Sequence, residues 1–296
     1  MRRQIFQTIG VAATVAMLGT GALAARREAG ERPAATRTAG PQSLVYGTDP
    51  LQVVDFWPAA QAGAPLVVFV HGGGWKRGDK QMMRGSPKPA HWQAQGYAVA
   101  SVNYRLVPAA TVEQQAADVA AAVALLQARA QVLGIDGGRI ALVGHSAGAH
   151  LVALVGTDPQ YLRGAGLALS DVRGVVPLDG AAYDVAQQMV TGPRIMRKTY
   201  AQAFGSDPAR QAALSPTVQA AAPNVADFLV LHVEREDGTA QSEALARALR
   251  AGGSRAEVQG FAGKGLRGHA EINRDLGDPA YPATPVVDAF LARVFR

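Results

Sequence analysis

The chain has 296 residues, 48% of them hydrophobic and 18% charged, with mean hydropathy near zero. That balance excludes a disordered polar chain and a polytopic membrane protein. There is no cysteine, which excludes thiol nucleophiles, disulfides and cysteine-ligated zinc. The net charge of +6 is spread along the sequence, and many arginines stand beside acids, as in Arg274-Asp275 and Arg235-Glu236-Asp237. Without aromatic interleaving this is not a nucleic-acid platform, and no nucleic-acid partner is expected.

From the N-terminus, Arg2 and Arg3 precede an uncharged run from Gln4 to Ala25 that closes on Ala22-Leu23-Ala24. This pattern predicts a signal peptide over residues 1–24, cleaved near Ala24, and an exported protein, periplasmic or secreted. Gly10, Gly19, Gly21 and several threonines dilute the apolar run, so no stable membrane insertion is expected after cleavage. Residues 25–42 lack periodicity and are expected to form a flexible lead-in. A single domain over 43–296 follows, because α/β folds of this length commonly form one unit.

Within that domain short apolar runs alternate with longer amphipathic stretches, the rhythm of an α/β fold with a mostly parallel sheet flanked by helices. Strands are predicted at Gln52–Trp57, Leu66–Val70, Ala98–Asn103, Ile140–Val143, Val172–Leu178, Phe228–Val233 and Ala256–Phe261. Helices are predicted at Ala90–Gln95, Val112–Ala130, Ala147–Gly156, Ser242–Ala251 and Val286–Val294. A small insertion near residues 181–223 breaks the rhythm, and such insertions often lie over the carboxyl ends of strands, where ligands bind.

Two motifs carry chemistry. Gly144-His145-Ser146-Ala147-Gly148 follows an apolar run and precedes a helical one. This is the strand-turn-helix setting in which G-x-S-x-G exposes a nucleophilic serine, here Ser146. His71-Gly72-Gly73-Gly74-Trp75 ends the strand at Val70, and its bare backbone can aim amides at an oxyanion. Gly73, Gly74 and the Ala147 amide are the candidate oxyanion donors, with His71 fixing the loop. A Walker phosphate loop is excluded because Asp79-Lys80, rather than Lys-Ser/Thr, follows Gly78.

These motifs, with Ser146–Leu151 and Asn103-Tyr104-Arg105-Leu106, resemble the HGGGW/GHSAG esterase–lipase branch of the α/β-hydrolase superfamily, including bacterial carboxylesterases and arylformamidase-like proteins. The resemblance covers residues 45–296 and implies an acid after the strand ending at Val233 and a histidine after the last strand. His269 alone among the six histidines follows the last predicted strand. For the acid, Glu234, Glu236 and Asp237 are all candidates. Asp237 before Gly238 suits a tight turn and is assigned; Asp179 and Asp184, after the earlier strand, are the next route. Trp75, His145 and Tyr183 are candidate substrate-binding residues, and Met189 is a further pocket wall.

The expected function is hydrolysis of carboxylic esters of small to medium acyl groups by a Ser-His-Asp triad through an acyl-enzyme, with no cofactor and no metal. The expected partner is a small-molecule ester. Arylformamidase-like hydrolysis and non-catalytic binding are the alternatives, and oligomeric state is left open.

Overall fold

The computed structural model describes residues 40–221 and 223–296; the expected signal peptide and nearly all of the lead-in lie outside them. Eight strands form one sheet: β1 (Gln42–Val45), β2 (Val53–Trp57), β3 (Ala64–Val70), β4 (Ala98–Val102), β5 (Ile135–His145), β6 (Val172–Leu178), β7 (Asp227–Glu234) and β8 (Arg255–Lys264). Their order is β1-β2-β4-β3-β5-β6-β7-β8. The β1/β2 and β2/β4 pairs are antiparallel and the rest are parallel.

The central parallel strands carry long apolar runs because both faces of the sheet are covered there, whereas the edge strand β8 is largely exposed. In β3, Leu66, Val68 and Val70 enter one core cluster, while Val67 and Phe69 enter the other, the period of two that a strand imposes. The first face packs against α2 (Val112–Ala128), α4 (Ala147–Thr157) and α10 (Glu236–Ala251). The second packs against α1 (Lys88–Ala94), α11 (Gly265–Asp275) and α12 (Ala283–Val294). Thr111 opens α2 with a capping box, its hydroxyl accepting from the Gln114 amide. The short helices α3 (Ala130–Leu133) and α5 (Pro159–Gly164) complete the crossovers.

All seven predicted strands and all five predicted helices are present, Val172–Leu178 with the expected ends and the others with shifted ends. The region at 181–223 holds α6 (Val185–Thr191), α7 (Arg197–Phe204), α8 (Pro208–Ala213) and α9 (Pro216–Gln219), helices too short to show a clean period. Two departures matter for chemistry. Helix α10 begins at Glu236 rather than Ser242, so Asp237-Gly238 is a first helical turn and not a tight loop. Gly238 is buried there, and a Cβ on it would lie 2.7 Å from the Arg235 guanidinium. The glycine-rich stretch after β8 is the start of helix α11.

Candidate active site

From β3 the chain proceeds to β4 on one side of the sheet, and from β5 to β6 on the other, although β3 and β5 are paired neighbours (Val70 beside Gly144). The connections therefore part at the carboxyl ends of these two strands, which opens the crevice where α/β sheets bind ligands. Ser146 caps β5 there with φ 57° and ψ −118°, a left-handed backbone that the surrounding packing must hold. Both motif glycines are required by that packing. A Cβ on Gly144 would stand 2.3 Å from the Gly148 carbonyl oxygen, and one on Gly148 would stand 2.2 Å from that of Val70.

Ser146 Oγ donates to His269 Nε2 at 3.0 Å, and His269 Nδ1 donates to Asp179 Oδ2 at 2.5 Å. The carboxylate at the histidine is thus Asp179, directly after β6, and not the assigned Asp237. Because α10 starts at once after β7, Asp237 is held at the cavity rim, where Oδ2 accepts from Gln188 Nε2 at 3.0 Å. Glu234 and Glu236 lie at the same rim, and none of the three is bonded to His269. Asp179 has no exposed surface. Its Oδ1 accepts from the Val233 amide at 3.1 Å, and Arg235 Nε stands 3.3 Å from Oδ2. Burial pushes this carboxyl up, but the His269 hydrogen bond, the Arg235 guanidinium and the Val233 amide outweigh it and hold the group below its usual range. Arg235 is itself anchored by donating to the Gly180 carbonyl at 2.9 Å.

The loop after β3 is braced from several sides. The Tyr104 ring stacks on His71 at 4.4 Å and its hydroxyl donates to the His71 carbonyl at 2.9 Å. The carbonyl of Trp75 accepts from Gln115 Nε2 at 2.7 Å. Gly73 and Gly74 both have positive φ, 127° and 62°, and a Cβ on Gly73 would meet the Arg77 carbonyl at 2.0 Å. Among the described residues the amides of Gly73, Gly74 and Ala147 are bonded to no carbonyl or side chain, which leaves them for an oxyanion.

A cavity of about 380 Å³ opens over Ser146 and His269. Its lining is apolar at Trp75, Pro193, Ile195, Met196, Tyr200 and Leu266 and charged at Glu234, Arg235, Glu236 and Asp237. Of the expected substrate-binding residues only Trp75 lines it. His145 is directed below the site, where Nε2 donates to the His269 carbonyl at 2.9 Å. Tyr183 is fully buried and its hydroxyl accepts from the Gly180 amide at 3.2 Å, and Met189 packs against the core. Tyr200, Met196 and Leu266 were missed because nothing in their local sequence signals a pocket; the insertion and α11 bring them there.

The BD-FAE family model matches residues 55–181. Esterase LipC of Mycobacterium tuberculosis is 36% identical over 124 residues, 40% of this chain and 30% of that protein. The carboxylesterase EstE1, cloned from a metagenomic library, superposes with TM-score 0.71 at 23% identity, over 88% of this chain and 90% of its own. Thermogutta terrifontis esterase 2 in its butyrate-bound form gives TM-score 0.68 at 21% identity, over 87% and 95%. The chain has the fold of these carboxylesterases, and over residues 55–181 it is similar to the BD-FAE family and to LipC. It spans less than a third of LipC. In this fold the carboxylate bonded to His269 follows β6, a departure from the position after β7 that the resemblance implied.

His150, on α4, ties the nucleophile's helix to the loop after β3 and to the insertion. Its Nε2 donates to the Leu214 carbonyl at 2.8 Å, while Nδ1 accepts from Trp75 Nε1 at 3.3 Å. A proton on Nδ1 would face another donor. Burial above all lowers the His150 pKa to about 4, against roughly 6.5 in an unfolded chain. Between those values the unfolded state binds the additional proton, so this contribution to stability is complete above about pH 6.5 and declines as pH falls towards 4. His150→Gln is expected to be the less stable protein at pH 7, with a gap to wild type that narrows on acidification. Thermal unfolding across this range measures it; a gap independent of pH would show that His150 is not held neutral.

Proposed function

We propose that this protein is a serine hydrolase that cleaves carboxylic esters of small to medium acyl groups. The observation that carries the reading is the continuous relay Ser146–His269–Asp179 opening onto a partly apolar cavity. His269 takes the Ser146 proton as Oγ attacks the acyl carbonyl, and Asp179 holds the imidazole in the productive tautomer and stabilises the imidazolium. The Gly73, Gly74 and Ala147 amides receive the developing oxyanion, aided by the positive end of α4. His269 then returns the proton to the departing alkoxide, and water activated by the same histidine releases the acyl group.

The names of LipC and EstE1 support ester chemistry, and the butyrate held by Thermogutta esterase 2 supports a short acyl group. The exported location expected from Arg2, Arg3 and Ala22–Ala24 is part of the same proposal. Assay against esters of graded acyl length beside an aryl formamide tests the substrate class: highest kcat/KM on short and medium esters is expected, and preference for the formamide would replace the ester reading.

Ser146→Ala is expected to abolish both turnover and labelling by an organophosphonate, with the fold intact; persistent label would place the nucleophile elsewhere. Asp179→Asn should lower kcat by about 10³ to 10⁴, whereas Asp237→Asn should stay within about tenfold. The reverse ranking would return the acid to the end of β7.

Arg235→Gln removes the guanidinium that faces the buried Asp179. Asp179 then protonates more readily and loses its capacity to accept from His269, so the acid limb of the pH–rate profile should move to higher pH and kcat should fall by about 10 to 100-fold. Arg235→Lys should recover part of both. An unmoved acid limb would limit Arg235 to lining the cavity.

A further inference from the structure

The mouth of the cavity has a composition that ester hydrolysis does not require. Ile195, from the insertion, and Leu266, from the start of α11, line the same cavity and are 79% and 67% exposed. Cations flank the cavity-lining residues on three separate segments: Lys76 and Arg77 after Trp75, Arg194, Arg197 and Lys198 around Ile195, and Lys264 and Arg267 around Leu266. All seven are exposed. Among the described residues only Arg267 is in an ion pair, with Glu271. The segments meet in space, since a Cβ on Gly74 would lie 3.0 Å from the Thr199 methyl and 3.8 Å from the Met196 methyl. The acids of the rim, Glu234, Glu236 and Asp237, come from one short segment and number three against these seven cations. The rim is therefore net positive, although the charges are scattered in the sequence.

We propose that this rim docks on an anionic lipid surface, with Ile195 and Leu266 entering the headgroup layer and the flanking lysines and arginines resting on it. Apolar tips set among unpaired cations are the surface that lies in a charged lipid–water interface. A soluble anion would engage the cations and leave the apolar tips in water. Docking requires no chemistry at Ser146, so the inference stands apart from the proposed reaction. Its consequence is geometric: the open end of the cavity would face the lipid, where acyl chains are concentrated.

Co-sedimentation of the full chain with phosphatidylcholine vesicles, with and without phosphatidylglycerol, tests the proposal. Binding is expected only with phosphatidylglycerol and should weaken with salt. The combined variant Arg194→Gln, Arg197→Gln, Lys198→Gln should lose about 100-fold in affinity, roughly fivefold per cation. Ile195→Ser with Leu266→Ser should lose about tenfold. Thermal unfolding checks that each variant is folded, and comparison within the full chain removes any contribution from residues 1–39. Four results would overturn the proposal: no binding to anionic vesicles, equal binding to neutral ones, wild-type binding by the charge variant, or wild-type binding by the apolar variant.

Discussion

A carboxylate with no exposed surface sets the terms for this site. Burying Asp179 disfavours its ionised form, and an ionised form is what a histidine partner needs. The fold meets the demand from three directions: the imidazole from α11, the amide of Val233 from β7 and the guanidinium of Arg235 from the junction between β7 and α10. None of these donors is near Asp179 in sequence. The backbone of Asp179 is itself strained, with φ 45°, and its amide donates to the Leu231 carbonyl at 2.7 Å. Strain of this kind persists only where neighbours over-determine it, and here β7 supplies most of that constraint. The end of β7, where the resemblance places the acid, has instead become the part that holds the acid.

The same economy governs the nucleophile. Paired parallel strands place the carboxyl ends of β3 and β5 side by side, and their loops must then pass one another at backbone distance. Glycine is required where they do, at Gly148, where a Cβ would lie 2.2 Å from the Val70 carbonyl oxygen, and at Gly72, where one would lie 2.9 Å from Ser146 Cβ; Gly73 and Gly144 are confined by carbonyls of their own loops. The glycines of both motifs thus serve packing first, and bare amides near Ser146 are its consequence.

Buried histidines support this arrangement without being charged. His71, His145 and His150 are all lowered by burial, so each can act as a neutral donor or acceptor among apolar neighbours. His145 secures the His269 backbone from beneath, and His150 secures Trp75 and Leu214. Their positions beside the nucleophile, in Gly144–His150, are structural, which accounts for the absence of His145 from the cavity.

By itself the sequence determined the fold, and it pointed to Ser146 and His269, which the structure joins by a hydrogen bond. The unbroken apolar runs could be buried only in a two-sided parallel sheet, the G-x-S-x-G turn could lie only between a strand and a helix, and one histidine followed the last strand. Local signals were enough for the strands and for Ser146, and the resemblance with chain order was enough for His269. The acid, the cavity walls and the charged rim were decided by tertiary structure alone. Asp179 and Asp237 both precede a glycine and follow a strand, and no local pattern separates them; what does is that α10 starts without a loop and fixes Asp237 at the rim, while β6 ends level with His269. The exposed cations, dispersed over three segments, form one face only because the carboxyl ends of a parallel sheet gather their loops at one edge.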